Sequence, residues 1–140
     1  MKNIAFFTAI LTAVALFSAD VAICQGGGLT SREQGIYNAI MERWYADETK
    51  PIDEIISAVA GSHNLDENEV GNVYDKGMAR EPSDAEWQIY KEANDIPLDT
   101  VFPGNQTVYE YVGARHGLSG LQVFEIYSRC GYWVMAAYSQ

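Results

Sequence analysis

The chain has 140 residues, 48% of them hydrophobic, and a formal net charge of −10. That apolar share excludes disorder over most of the length, and the size is that of one domain with a core of its own. The acidity opposes contact with nucleic-acid phosphate or anionic lipid; it favours solubility, basic partners or weakly held cations, and its plainest reading is a solvated acidic surface with no partner implied.

Met1 to Cys24 stands apart from the rest. Lys2 gives a positive start, and Ile4 to Phe17 is an uncharged, mostly apolar run of 14 residues. A membrane span wants ~20 such residues, so the run suits a secretory signal peptide of residues 1–24. Cleavage after Cys24 makes Gln25 the new N-terminus. Val21-Ala-Ile-Cys24 also has the outline of a lipoprotein box with Cys24 as the lipidated residue, although Ile23 sits where a small residue is expected. The expectation is a secreted or periplasmic protein that touches the membrane only through its export segment. Residues 25–28 read as a flexible leader, and residues 29–140 as a single helical domain.

The first element opens at Thr30-Ser-Arg-Glu33, where Thr and Glu form a capping box, and continues through Ile36, Tyr37, Ile40 and Trp44 at helical spacing. Ile52, Ile55, Ile56 and Val59 give the face of a second helix. His63-Asn64-Leu65 is the join: asparagine tolerates the left-handed conformation that ends a helix, and a leucine then seals the turn. A third helix follows from the Asp66 cap, with Glu69 as the box partner and Val70, Val73 and Tyr74 on its stripe. Arg80-Glu81-Pro82 is a natural seam.

The pattern then starts again. Ser83-Asp-Ala-Glu86 is a second capping box, followed by Trp87, Ile89, Tyr90 and Ala93. Pro97 and Pro103 bracket an irregular stretch from Asn94 to Gly104, so this copy exchanges part of a helix for a loop. Val108, Tyr109 and Val112 lead to His116-Gly117-Leu118, and Ser119 with Gln122 caps the run Val123, Ile126, Tyr127. A shift of 53 residues, without gaps, pairs Glu33 with Glu86, Tyr37 with Tyr90, His63 with His116, Tyr74 with Tyr127 and Lys76 with Arg129. The fold class expected is all-α: about six helices as a tandem repeat of two three-helix units, residues 29–81 and 82–140. Residues 29–81 carry eleven acids and five bases, and residues 82–140 seven and three, so both copies are net negative. The four paired tyrosines are expected to pack within their own sets, with hydroxyls at the rim.

Cys130 to Tyr138 has no charge. It reads either as an extension of the last helix over the core or as a partner surface, with Tyr132, Trp133 and Tyr138 as the candidate contacts.

Candidate chemistry is thin. His63 and His116 could share a metal with Asp66 or Glu69, but a histidine recurring in the last helical turn is what a structural rule of the motif produces. Asp66 to Gly71 resembles the start of a calcium loop, yet the twelfth position is Gly77 where a bidentate glutamate is needed. Cys130 could pair with a histidine as a small hydrolase, although no nucleophile signature surrounds it. Cleavage before Cys24 would instead permit a Cys24–Cys130 disulfide. Gly26 to Gly28 lacks the lysine of a phosphate loop. No catalytic residue, cofactor or metal is assigned. Asn105-Gln-Thr107 is a glycosylation sequon.

Ala114-Arg-His-Gly-Leu-Ser-Gly-Leu-Gln-Val-Phe-Glu-Ile-Tyr127 resembles the helix-turn-helix segments of bacterial DNA-binding proteins, over about twenty residues in each copy. The resemblance implies a recognition helix from Ser119 presenting Gln122 and Arg129 to a major groove. Its counterpart, Asp66 to Lys76, is acidic and opposes such binding. The leading expectation is therefore an exported, non-enzymatic module that binds a protein rather than nucleic acid. A DNA-binding protein and a cysteine hydrolase are the alternatives.

Overall fold

The computed structural model describes residues 28–140. The segment expected to be a signal peptide, Cys24 with its alternative lipoprotein reading, and most of the leader lie outside the described residues. Six α-helices, and no strand, occur among the described residues: α1 Ser31–Ala46, α2 Ile52–His63, α3 Glu67–Met78, α4 Asp84–Asp95, α5 Val108–His116 and α6 Gly120–Tyr138. The all-α class follows directly. No helix among them is long and apolar enough to cross a membrane.

Local side-chain chemistry sets the helix starts. Thr30, Ser83 and Ser119 each accept from the amide three residues on, while Glu33, Glu86 and Gln122 reach back to the cap amide at 2.7, 2.8 and 2.7 Å. Each cap of this kind stabilises its helix by ~1 kcal/mol. The box expected at Asp66 is one-sided: Asp66 accepts from Asn68 and Glu69, but the Glu69 carboxylate pairs with Arg32 at 2.7 Å instead of returning. A fourth full box, Thr107 with Glu110, opens α5.

Both helix joins take the anticipated form. Asn64 at φ 52° and Gly117 at φ 68° are left-handed, and the amides of Leu65 and Leu118 donate back to Ala60 and Gly113 at 2.9 Å in each case. That bond consumes a carbonyl orphaned by the helix end.

Helices α1, α2 and α3 pack on one another, as do α4, α5 and α6, and α6 also lies against α1 and α3. The core gathers where they meet, with Ile40, Val70, Val112, Val123 and Cys130 fully enclosed. Burying each such aliphatic side chain contributes ~1.5–3 kcal/mol. Phe124 receives the edges of Trp44 and Tyr109 at 5.4 and 5.3 Å, which ties α1 to the second helix set.

Tyr37 departs from its expected place. Its ring lies against Gly77 of α3, and its hydroxyl sits deep in the core, not at a rim. Tyr74, Tyr90 and Tyr127 are half-buried as expected of packing side chains. The reason is geometric: α1 is the helix that α6 crosses, so a tyrosine on its inner face points at α6 rather than at solvent.

Between α4 and α5 the chain runs as a loop, with one short 3₁₀ turn at Pro103–Asn105. Pro97 lacks the amide that would continue α4.

Candidate functional site

A cluster of charged side chains lies inside the molecule. Arg129, on α6, has no exposed side-chain surface. Its Nε donates to Glu125 Oε1 at 2.8 Å, one turn earlier on the same helix, and its guanidinium also binds Glu86 of α4. A further bond goes to the Arg80 carbonyl at 3.3 Å. Glu125 is only 4% exposed and takes two more donors, the Tyr37 hydroxyl at 2.9 Å and Arg80 at 3.3 Å. One cluster thus joins α1, the α3–α4 seam, α4 and α6.

The electrostatics match the geometry. Burial alone would raise the Glu86 carboxyl, but the Arg129 guanidinium and the Ser83 amide outweigh it and hold the group below the usual range. Burial, with the carboxylate of Glu125 beside it, pushes the Tyr37 phenol far up, so it remains a donor. Every acceptor oxygen here meets a donor from the protein itself. Such saturation fits a structural lock between the two helix sets rather than a catalytic centre, where an unmet group would face a substrate.

The sequence candidates for chemistry are held apart. Cys130 is fully buried with its Sγ 3.9 Å from the Glu86 carbonyl, and burial pushes its thiol up to about 12, so it stays protonated at neutral pH. The histidines do not face it: His116 bonds Glu92 at 2.7 Å and His63 is exposed at the end of α2. Glu92 also receives Arg115 at 2.8 Å. No group of three or more metal-ligating side chains occurs among the described residues. Gln122 and Arg129, which the helix-turn-helix resemblance implies at a groove, are engaged internally, one in the α6 cap and the other in the buried cluster.

The uncharged end of α6 divides. Trp133 is half-buried and its indole N–H donates to the Met78 carbonyl at 3.1 Å, so it closes the core at the end of α3. Beyond it the helix leaves the body. Met135 and Tyr138 are 68% and 85% exposed, and Tyr132, just before Trp133, is 40% exposed. The core-covering reading therefore holds as far as Trp133 and fails after it, because α3 ends at Met78 and offers nothing further to pack on.

A second surface was not singled out in the sequence. The loop after α4 overhangs a groove of about 620 Å³ with Ile96, Pro97, Phe102, Val108, Tyr109 and Tyr127 among its walls. Two contacts lie at the loop and at the end of α4. Phe102 stacks on Tyr111 at 4.8 Å, and the Tyr127 hydroxyl reaches Asn94 at 3.4 Å. The signal that could have found it is the pair of apolar residues, Leu98 and Val101, in a stretch otherwise built as a turn.

No protein-family model, no characterised protein and no solved structure matches the chain.

Proposed function

We propose that this is an exported, non-enzymatic helical module, built from a three-helix unit used twice, that acts by binding a protein partner. The observation that carries the reading is the end of α6. Residues 130–140 bear no charged side chain on a chain of net charge −10, and they leave two tyrosines and a methionine in solvent. Exposed aromatic patches without charge are what partner-binding surfaces share, and Tyr and Met are enriched in them.

The use of one unit twice is supported by the ion pairs. Lys76 of α3 pairs with Glu33, the box glutamate of α1, at 3.0 Å, and Arg129 of α6 pairs with Glu86, the box glutamate of α4. Both pairs are related by the same 53-residue shift. Export rests on the residues before the domain and is tested by the mass of the chain recovered outside the cytoplasm, which should lack residues 1–24.

Partner binding is tested by cross-linking in that compartment, with wild type compared against Tyr132→Ser/Tyr138→Ser. The reading expects a discrete cross-linked species that the variant loses while its thermal melt is unchanged. Identical cross-linking by both proteins would remove α6 as the contact. A mature chain that keeps its first 24 residues inside the cytoplasm would remove export.

A further inference from the structure

We propose that the groove beneath the loop between α4 and α5 is a second docking site, and that its occupant is a basic peptide segment carrying apolar side chains. The inference rests on the partner-binding reading and adds a place and a chemistry to it.

The apolar half of the argument starts from the loop tip. The Thr100 amide donates to the Pro97 carbonyl at 3.0 Å, closing a turn with Leu98 and Asp99 at its centre. Turn chemistry asks for Gly, Asn, Asp or Ser at such positions and gives no reason for leucine. Leu98, one of the groove walls, is nevertheless 107% exposed, and Val101 in the same loop is 91% exposed; the other walls mix apolar groups such as Ile96, Phe102 and Val108 with the polar Asn94, Gln106 and Thr107. A single exposed leucine is ordinary, whereas an exposed leucine and valine within four residues, on a loop that borders a partly apolar groove, form a surface that a partner can bury. Phe102, next to Val101, packs on Tyr111 of α5 and so anchors that side of the loop, which lowers the ordering cost of binding.

Charge selects the partner. From Lys91 to Glu110 the chain carries four carboxylates against one cation, the exposed Lys91 at the start of the stretch. Glu92 and Glu110 are engaged, the first by Arg115 and His116 and the second in the cap of α5. Asp95 and Asp99 remain exposed on either side of Leu98. Glu48 adds a further carboxylate against the hydroxyl of Tyr109, one of the groove walls, at 3.2 Å. Arg115, the cation over the Tyr111 ring, is already paired with Glu92. The apolar lip thus sits in a negative field, which attracts a cationic segment and repels an acidic one, including a second copy of this chain.

The probe is a fluorescein-labelled decapeptide of alternating lysine and leucine, followed by anisotropy with the purified protein. Alternating Lys-Ser and Glu-Leu peptides serve as controls. The Lys-Leu peptide is expected to bind, and both Leu98→Ser/Val101→Ser and Asp95→Asn/Asp99→Asn are each expected to weaken it at least about tenfold. Asp53→Asn/Glu54→Gln, on the exposed face of α2, is expected to leave it unchanged. The substituted side chains are exposed, so the variants are expected to keep the wild-type melt. Absence of Lys-Leu binding, or equal binding by either loop variant, overturns the site. So does equal binding of the Lys-Ser or the Glu-Leu peptide. A wild-type dimer in sedimentation that Leu98→Ser/Val101→Ser dissolves would give the groove to a second copy and overturn the stated occupant. None of these outcomes touches the cross-link at Tyr132 and Tyr138, so failure of the groove and failure of the partner-binding reading are separate results.

Discussion

Arg129→Met isolates what the buried cluster contributes. Methionine keeps the length and apolar stem of arginine and removes its donors. Glu125, at 4% exposure, would then lose its 2.8 Å partner and keep only Tyr37 and Arg80. Removing one member of a buried ion pair costs ~3–5 kcal/mol, because the remaining charge stays desolvated. The two surviving donors place this case at the lower end, ~3 kcal/mol. With a urea slope of ~1.5 kcal/mol per molar, the midpoint should fall by ~2 M. Lys76→Met is the control. It breaks the related pair with Glu33, but that lysine is 47% exposed, and solvent screening should reduce the change to near the scatter of the melt. Arg129→Met/Glu125→Gln removes the stranded charge as well and should recover at least half of the loss in midpoint. Equal shifts for the two single variants would refute burial as the source of the difference. A double variant no better than Arg129→Met would refute desolvation of Glu125 as its mechanism.

Iodoacetamide at pH 8 should leave Cys130 unlabelled in the native protein and label it fully in denaturant, since burial pushes the thiol up to about 12; rapid native labelling would contradict its enclosure. The acid limb of stability should depend on Glu86. Its folded carboxyl lies below the ordinary 4.5, so its contribution is complete above that value and is lost as pH falls through the folded pKa; melts of Glu86→Gln should flatten over that window, and an unchanged limb would count against the assignment. The two glycines of α3 should part company. A Cβ at Gly77 would strike the Tyr37 ring, whose hydroxyl is held by Glu125, so Gly77→Ala should cost ~1–3 kcal/mol through overpacking. Gly71 faces open space, and Gly71→Ala should stabilise by ~0.5–1 kcal/mol through helix propensity; thermal melts of both are the measurement, and the same sign in both would refute the contact.

Helix starts and joins were legible because their causes lie within four residues of one another. A hydroxyl followed three positions later by a glutamate marks Thr30 and Ser83 whatever the tertiary structure, and a left-handed residue at Asn64 or Gly117 is chosen for backbone reasons alone. Thr107, the last residue of the sequon, obeys the same rule with Glu110. At α6 the periodicity separates a buried from an exposed face. Ile126, Cys130 and Trp133 recur at i, i+4 and i+7, which places the tryptophan on the buried face and leaves Tyr132 and Tyr138 off it. The fates of Tyr37, Leu98 and Arg129 depend on where α6 crosses α1 and on how the longer loop is braced, and no local pattern encodes either.

Arg129 nevertheless left one trace. The same shift that sets Glu33 beside Glu86 sets a lysine at 76 against an arginine at 129, and that exchange is usually passed over as conservative. A lysine ammonium serves an exposed pair well, since it is a compact charge that prefers to keep its water. The site at 129 has no water to keep. It asks one side chain to reach Glu125 along its own helix, Glu86 on another and the Arg80 carbonyl between them. Only a guanidinium presents five donors in a fixed planar fork, is weakly hydrated and remains charged at any accessible pH. An ammonium there would face the same desolvation with three donors and no fixed geometry. The choice of arginine over lysine follows from burial, so where two related positions differ in this way the arginine marks the one that is enclosed.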